Sequence, residues 1–411
     1  TRPGTTVVPT KPNRRRLSAR CSCARTPRPP SAPPTSPTMP KLCVGTGASD
    51  PADGNMNRVE IQRRDCGADD VFVRIQYCGL CHSDVHTVHG DWGWTGSHVV
   101  IPGHEAVGVV EEVGSAVTTL QVGQRVGIGC FVDSCNDCEA CANGDENYCE
   151  RGATQTYNTP SRTEGDPCPI TQGGLSNCMT VKAKFAFPLP DSIPMEVAGP
   201  LLCAGITMFA PLKRAGMLAG GKHVAVVGFG GLGHMGVKLA LAMGNRVTVL
   251  SRGDRRKAAI EALGATHLDS TNPFAVEYLE AHATFDTILD TVAASHPITP
   301  MLPLLKHSST LFMIGGVPEP FSVGAFDLLP RRLALSGSLV GGTVDTNEML
   351  QFCAAHGILP DVQVIPPTRV NEAVRALSTN SAEVSRYVVD MATMVPGDWE
   401  TIQVPKQKAD A

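Results

Sequence analysis

An α/β Rossmann domain joined to a second, β-rich domain is the fold class this sequence predicts. Three observations carry it. A glycine turn, Gly228 to Gly233, stands between an apolar run and a stretch of helical composition. Strand-like and helical stretches alternate from about residue 196, which calls for a parallel sheet covered on both faces. Short apolar runs punctuated by glycine fill the region from about 71 to 131, the texture of strands joined by turns.

Residues 1–40 stand apart. They hold eight Lys and Arg up to Arg28, many Pro, Ser and Thr, and no Asp or Glu. Such a segment cannot bury a core and is expected to be disordered. Its Arg and Ser content fits an organelle transit peptide, but its prolines oppose the amphipathic helix such a peptide needs. Met39 offers a natural start, so a non-native or mis-assigned extension is the favoured reading. Strands are then expected at Val71–Tyr77, Ala106–Val113 and Arg125–Ile128. In the second domain, His223–Val227 reads as a buried strand, Met235–Met243 as a helix and Arg246–Leu250 as a strand. Further strands are expected at Phe285–Asp290 and Leu311–Ile314. The stretch 346–400 returns to a mixed texture.

At 411 residues the chain has room for two or three domains at roughly 150 residues each. Hydrophobic residues at 42% and charged residues at 18% argue for sizeable cores. A net charge of -4 provides no basic field for nucleic acid or an anionic membrane. No apolar run approaches the roughly 18 residues of a spanning helix. The 15 cysteines are an odd number, so at least one has no partner within the chain. Their clustering reads as metal binding in a reducing, cytoplasmic setting; import into an organelle is expected only if residues 1–38 are a genuine transit peptide.

Cys135, Cys138, Cys141 and Cys149 lie within one short loop. Zn²⁺ takes four thiolates tetrahedrally, and Cys-x-x-Cys steps let one loop wrap the ion. A closed four-Cys shell has no open position, so this site holds a loop rather than performing chemistry. An iron–sulfur cluster is the alternative. Cys130, five residues before Cys135, reads as a spare thiol.

The run Val224 to Gly233 has the G-x-G-x-x-G pattern at Gly228, Gly230 and Gly233. The first glycine allows the tight turn and the second lets backbone approach a pyrophosphate. The third lets helix pack on sheet. Gly231 and Leu232 complete the turn, and amides at the helix start complement phosphate. S-adenosylmethionine folds use similar turns, so the motif alone does not name the ligand. At the next strand end an NAD site wants a carboxylate. Here Ser251 and Arg252 stand there, with Arg256 close behind; Asp254 dissents from a position about three residues late. A hydroxyl and guanidinium groups suit a 2′-phosphate, so NADP(H) is expected.

Cys81-His82-Ser83-Asp84-Val85-His86 follows a strand, Gly103-His104-Glu105 precedes another, and Leu202-Cys203-Ala204-Gly205 precedes a helical stretch. With the four-Cys cluster and the glycine turn, these motifs stand in the order found in zinc-dependent medium-chain alcohol dehydrogenases. They most resemble the cinnamyl alcohol dehydrogenase branch. The resemblance covers about 41–400 and implies a Rossmann domain plus a β-rich GroES-like catalytic domain. The catalytic domain would comprise 41–195 and 346–400, the NADP-binding domain 196–345, and 401–411 a tail.

The resemblance implies Cys81, His104 and Cys203 as catalytic zinc ligands. Glu105 would be a fourth ligand, or a near partner that exchanges with water or substrate. Zinc would act as a Lewis acid on an aldehyde or alcohol oxygen. Protons would pass through Ser83 to His86, and Asp84 would orient His104. Thr207 and the backbone from Ile314 would flank the nicotinamide. The implied protein is an NADP-dependent alcohol dehydrogenase or aldehyde reductase with two zinc ions per chain. It would be a homodimer acting on small aromatic or aliphatic aldehydes, with no nucleic-acid or membrane partner. Its alternatives are a polyol dehydrogenase on the same scaffold and a non-catalytic regulatory protein that binds NADPH and zinc. Plant lignin-type members carry a Trp shortly after the last structural cysteine; here the stretch reads Cys149 to Tyr157 without one. Trp92 and Trp94 are candidates to line an apolar pocket instead.

Overall fold

The computed structural model describes residues 41–50, 54–93, 99–271, 284–317, 319–379, 386–394 and the backbone of 401–403. The basic segment before residue 41 and Trp94 lie outside the described residues, as does the tail from 404.

His223–Val227 is buried along its whole length, as an apolar run must be at the centre of a parallel sheet. Six parallel strands form that sheet. Their order is Thr266–Asp269, Arg246–Ser251, His223–Val227, Phe285–Asp290, Leu305–Met313 and Ala334–Gly337. The order reverses between His223–Val227 and Phe285–Asp290, which makes the switch point where such sheets bind nucleotides. The glycine turn sits at that point. The strand expected at Leu311–Ile314 is longer, Leu305–Met313. The helix expected from Met235 starts earlier, at Gly231, and runs to Ala242.

The β-rich part is built on Asp70–Leu80. It pairs antiparallel with Ala106–Val113 on one side and with Tyr387–Asp390 and Cys178–Lys182 elsewhere along its length. Arg125–Ile128 and Ala186–Pro188 extend the sheet, and Gln363–Ile365 forms its far edge. A separate three-stranded sheet joins Lys41–Gly47, Asn57–Arg63 and Thr401–Gln403. A Cys43–Cys178 disulfide, 5.8 Å between Cα atoms, ties the first strand to Cys178–Lys182. Reading the cysteines as metal ligands in a reducing setting did not anticipate that pair.

Two main cores result. One lies under the β-rich sheet, and the other packs Met208, Phe209 and Leu212 against the Rossmann sheet. Burying a Phe such as Phe209 or Phe285 contributes about 1.5–3 kcal/mol. Helix Thr343–His356 sends Met349, Leu350 and Cys353 into the second core, so the stretch from 346 reaches the β-rich sheet only at Gln363. Val107 and Phe187 of the β-rich sheet also enter the second core, which holds the two parts face to face. No single helix among the described residues is long and apolar enough to cross a membrane.

Candidate active site and metal centres

Strand Asp70–Leu80 ends by delivering Cys81 to the start of the short helix His82–Val88. Asp84, three residues on, turns its carboxylate back. Its Oδ2 accepts the Cys81 amide at 2.7 Å and its Oδ1 accepts the Gly103 amide at 2.9 Å. One buried carboxylate thereby fixes two loops that each carry a candidate metal ligand. Gly103 has φ +103°, and a Cβ there would meet the Leu175 amide nitrogen at 2.6 Å, so only glycine lets His104 follow in place.

His104 Nε2 lies 3.3 Å from Cys203 Sγ, and Cys203 Sγ lies 3.9 Å from Cys81 Sγ. Cys203 itself sits between the 3₁₀ turn Gly199–Leu202 and helix Ala204–Arg214. Ligand atoms of Cys81, His104, Glu105 and Cys203 all lie within 4.8 Å of one another, and all four residues are buried. Both Glu105 oxygens are buried without a hydrogen bond. A buried carboxylate ordinarily finds donors, so these oxygens fit a cation held among the four groups. Two thiols, one imidazole and one carboxylate are also the mixed donor set zinc accepts. Burial pushes the Glu105 carboxyl up to about 7, against the opposing pull of Arg386. The Cys81 thiol is held well below the usual thiol range, chiefly by its contact with Cys203.

The second cluster comes from one loop. Cys138 begins the turn Glu139–Ala142, which carries Cys141, and Cys149 follows the turn Glu146–Tyr148. The four sulfurs lie within 4.8 Å of one another, with Cys135 and Cys141 3.8 Å apart. The Cys135 amide points at Cys149 Sγ at 3.4 Å. Backbone amides of Cys141 and Glu150 bring the Cys138 thiol down to about 6, which favours the thiolate a metal requires. The loop is fastened to the Rossmann side: Glu146 accepts from the Thr343 amide and hydroxyl at 2.8 and 2.9 Å.

In the glycine turn, Gly228 has φ +88° and Gly233 is packed so that a Cβ would meet the Gly228 carbonyl oxygen at 2.2 Å. Nothing stands within 4 Å of a Cβ built on Gly230, so the backbone there is open to a close-approaching phosphate. Gly231 and Leu232 open the twelve-residue helix Gly231–Ala242. These features fit a dinucleotide. Ser251 ends its strand with Oγ 3.1 Å from His267 Nε2. Among the described residues, neither Arg252 nor Arg256 has an ion-pair partner, whereas Asp254 faces His267 at 3.8 Å. Thr207 is buried one turn beyond Cys203, its amide bonded to the Cys203 carbonyl at 2.9 Å. Ile314 follows the strand Leu305–Met313 at the carboxyl end of the sheet, its amide on the Asp290 carbonyl at 2.9 Å.

Ser83 Oγ lies 3.8 Å from Cys81 Sγ, at the metal cluster. His86, one turn on, bonds Asp91 at 2.7 Å and stacks on Trp92. Trp92 is 62% exposed, so it does not line an enclosed apolar pocket. Three site residues escaped the sequence reading. Arg386 reaches Glu105, 3.4 Å away. Tyr157 reaches His104, 3.0 Å away. Cys130 stays outside the four-Cys group, as expected of a spare thiol, and is a neighbour of Cys203. None belongs to a local spacing pattern; only the aromatic position after Cys149 offered a signal.

Residues 67–191 match the alcohol dehydrogenase GroES-like domain family, and residues 231–355 match the zinc-binding dehydrogenase family. Cinnamyl alcohol dehydrogenase 8 of Arabidopsis thaliana is 40% identical over 86% of this chain and 96% of its own. NADP-dependent alcohol dehydrogenase C of Mycobacterium bovis is 42% identical over 82% of this chain and 96% of its own. Among solved structures, a cinnamyl alcohol dehydrogenase from Sorghum bicolor aligns at TM-score 0.81 and 38% identity, covering 87% of this chain and all of that one. The cinnamyl alcohol dehydrogenase of Helicobacter pylori complexed with NADP(H) aligns at 0.78 and 31%, with the same coverage. The chain therefore belongs to the zinc-dependent medium-chain alcohol dehydrogenases, in the branch of the cinnamyl alcohol dehydrogenases.

Proposed function

We propose that this protein is an NADP-dependent zinc alcohol dehydrogenase that reduces aromatic and aliphatic aldehydes to alcohols, with two zinc ions per chain. The observation that carries it is the convergence of Cys81, His104, Glu105 and Cys203 within 4.8 Å. When bound, zinc supplies a Lewis acid for the reactant oxygen, and the nicotinamide supplies or takes up hydride at the adjacent carbon.

The chain's own residues do the rest. Cys81, His104 and Cys203 hold the catalytic metal, with Glu105 in the position that exchanges with water or substrate. Asp84 orients His104. Ser83 holds a proton at Oγ beside the cluster and passes it toward His86, which meets solvent. Gly228, Gly230 and Gly233 bring backbone to the pyrophosphate. Ser251, Arg252 and Arg256 take the 2′-phosphate, while Thr207 and Ile314 bracket the nicotinamide. Cys135, Cys138, Cys141 and Cys149 hold a structural zinc. The NADP(H) bound to the Helicobacter pylori relative supports the cofactor. A homodimer belongs to the same reading: edge strand Ala334–Gly337 is flanked by Phe326 and Leu329, 84% and 67% exposed.

Aldehyde reduction should be assayed with NADPH and NADH beside metal analysis, for wild type and Cys203→Ala. Expected are two zinc per chain and NADPH-preferring turnover in wild type, against one zinc and no turnover in the variant. Full turnover by Cys203→Ala rejects the assignment.

A further inference from the structure

We infer that Tyr157 is a positioning residue for the catalytic metal, acting through His104; the inference rests on the reading of Cys81, His104 and Cys203 as zinc ligands. The proton count at His104 leads to it. Nε2 faces Cys203 Sγ at 3.3 Å, so it is the nitrogen that presents a lone pair to the metal. A neutral imidazole then carries its one proton on Nδ1. Two acceptors stand there: Tyr157 Oη at 3.0 Å and Asp84 Oδ1 at 3.2 Å.

Asp84 already has work to do. Its two oxygens accept the Cys81 and Gly103 amides. The phenol, by contrast, has one proton to give and lone pairs to receive. It accepts from Nδ1–H at 3.0 Å, the shorter of the two contacts. The Nδ1 proton is thereby held between a phenol oxygen and a carboxylate. The arrangement is buried, with His104 5%, Tyr157 6% and Asp84 0% exposed, so no water competes for that proton. It fixes both the tautomer and the ring plane of a metal-ligating histidine, the role outer hydrogen bonds play around metals generally.

Tyr157 also brings the order of a distant segment to the metal. The neighbouring Thr156 amide bonds the Cys130 carbonyl at 3.0 Å, and the Asn158 amide bonds the Thr171 carbonyl at 3.0 Å. The phenol is therefore held by the backbone on either side of it, on a stretch that follows the four-Cys loop. Phenylalanine at this position keeps the ring and its packing while removing only the oxygen.

The test compares zinc-loaded wild type, Tyr157→Phe and Cys203→Ala by transfer of zinc to a coloured chelator, and by the visible spectrum after cobalt replaces the catalytic zinc. Wild type should release its two zinc ions in separable phases. Tyr157→Phe should speed only the phase missing from Cys203→Ala, by about ten-fold or more, and should shift the cobalt bands. The metal-free form of Tyr157→Phe should still unfold in one cooperative transition, about a few degrees below wild type for the lost buried hydrogen bond. If Cys203→Ala is one zinc short but Tyr157→Phe releases zinc and colours cobalt as wild type does, this inference falls alone. If Cys203→Ala holds as much zinc as wild type, the metal reading falls and takes it along.

Discussion

Arg386 and Glu105 face each other at 3.4 Å, and both side chains are buried. Arg386 stands at the start of the returning strand Tyr387–Asp390, and its Nη1 also reaches the Leu80 carbonyl. The guanidinium thus stands beside the group of candidate metal ligands, paired with its carboxylate. Removing it strands a negative charge away from water. Arg386→Leu should therefore cost the metal-free protein about 3–5 kcal/mol, the range for breaking a buried pair from one side. Denaturant unfolding measures it, and the zinc-loaded protein should lose less because the cation still balances Glu105.

Glu146 caps a helix it does not belong to. Gly342, at the N-terminus of Thr343–His356, has no side chain to offer, and Glu146 supplies the missing acceptor. Burial opposes its charge, but hydrogen bonds from Lys184 and Thr343 outweigh that and leave the carboxyl below its ordinary 4.5. A carboxyl lowered on folding stabilises above its unfolded value, and the gain is lost as pH falls through the lower, folded one. Glu146→Gln should lower stability by about 1–2 kcal/mol at neutral pH. Thermal unfolding should show the difference shrinking below pH 4.5.

Gly233→Ala drives a methyl group into the Gly228 carbonyl oxygen, 2.2 Å away. That neighbour is backbone, so the turn must move. NADPH affinity, followed by nicotinamide fluorescence, should fall by about ten-fold or more, equivalent to roughly 1.4 kcal/mol. Zinc content should stay at the wild-type level, since neither metal cluster touches the turn.

Arg252→Asp places a carboxylate where the ribose 2′ substituent is expected. It should repel a 2′-phosphate and accept from a 2′-hydroxyl. The ratio of kcat/KM for NADPH over NADH should drop several-fold, and an unchanged ratio would locate the clamp elsewhere.

Much of this was legible in residue order because it is local. Ala106–Val113, Arg125–Ile128, His223–Val227 and Phe285–Asp290 are the observed strands, since each is a short apolar run bounded by turn residues. Both metal clusters were legible because their cysteines and His104 lie in short motifs. Arg386 was not: no spacing links it to Glu105, and only the antiparallel pairing of Tyr387–Asp390 with Asp70–Leu80 brings them together. Cys130 is a spare of the four-Cys cluster as expected, but its place near Cys203 was not legible for the same reason. Sequence distance placed it near Cys135, while the end of strand Arg125–Ile128 turns it toward Cys203. Helix Thr343–His356 escaped assignment because its apolar residues enter the Rossmann core beside helix Ala204–Arg214, a tertiary fact.

Tyr387–Asp390 sits beside Asp70–Leu80 in the sheet that carries Cys81. A ribosome makes Asp70–Leu80 long before Tyr387–Asp390. Until then the Tyr77–Leu80 end of the strand leading to Cys81 waits without that partner, while the nucleotide-binding half is already emerging and able to collapse. The growing polypeptide must keep that end from pairing with other molecules. Any prematurely terminated product ending before Arg386 would inherit the same sticky margin, together with a Glu105 that has lost its guanidinium partner.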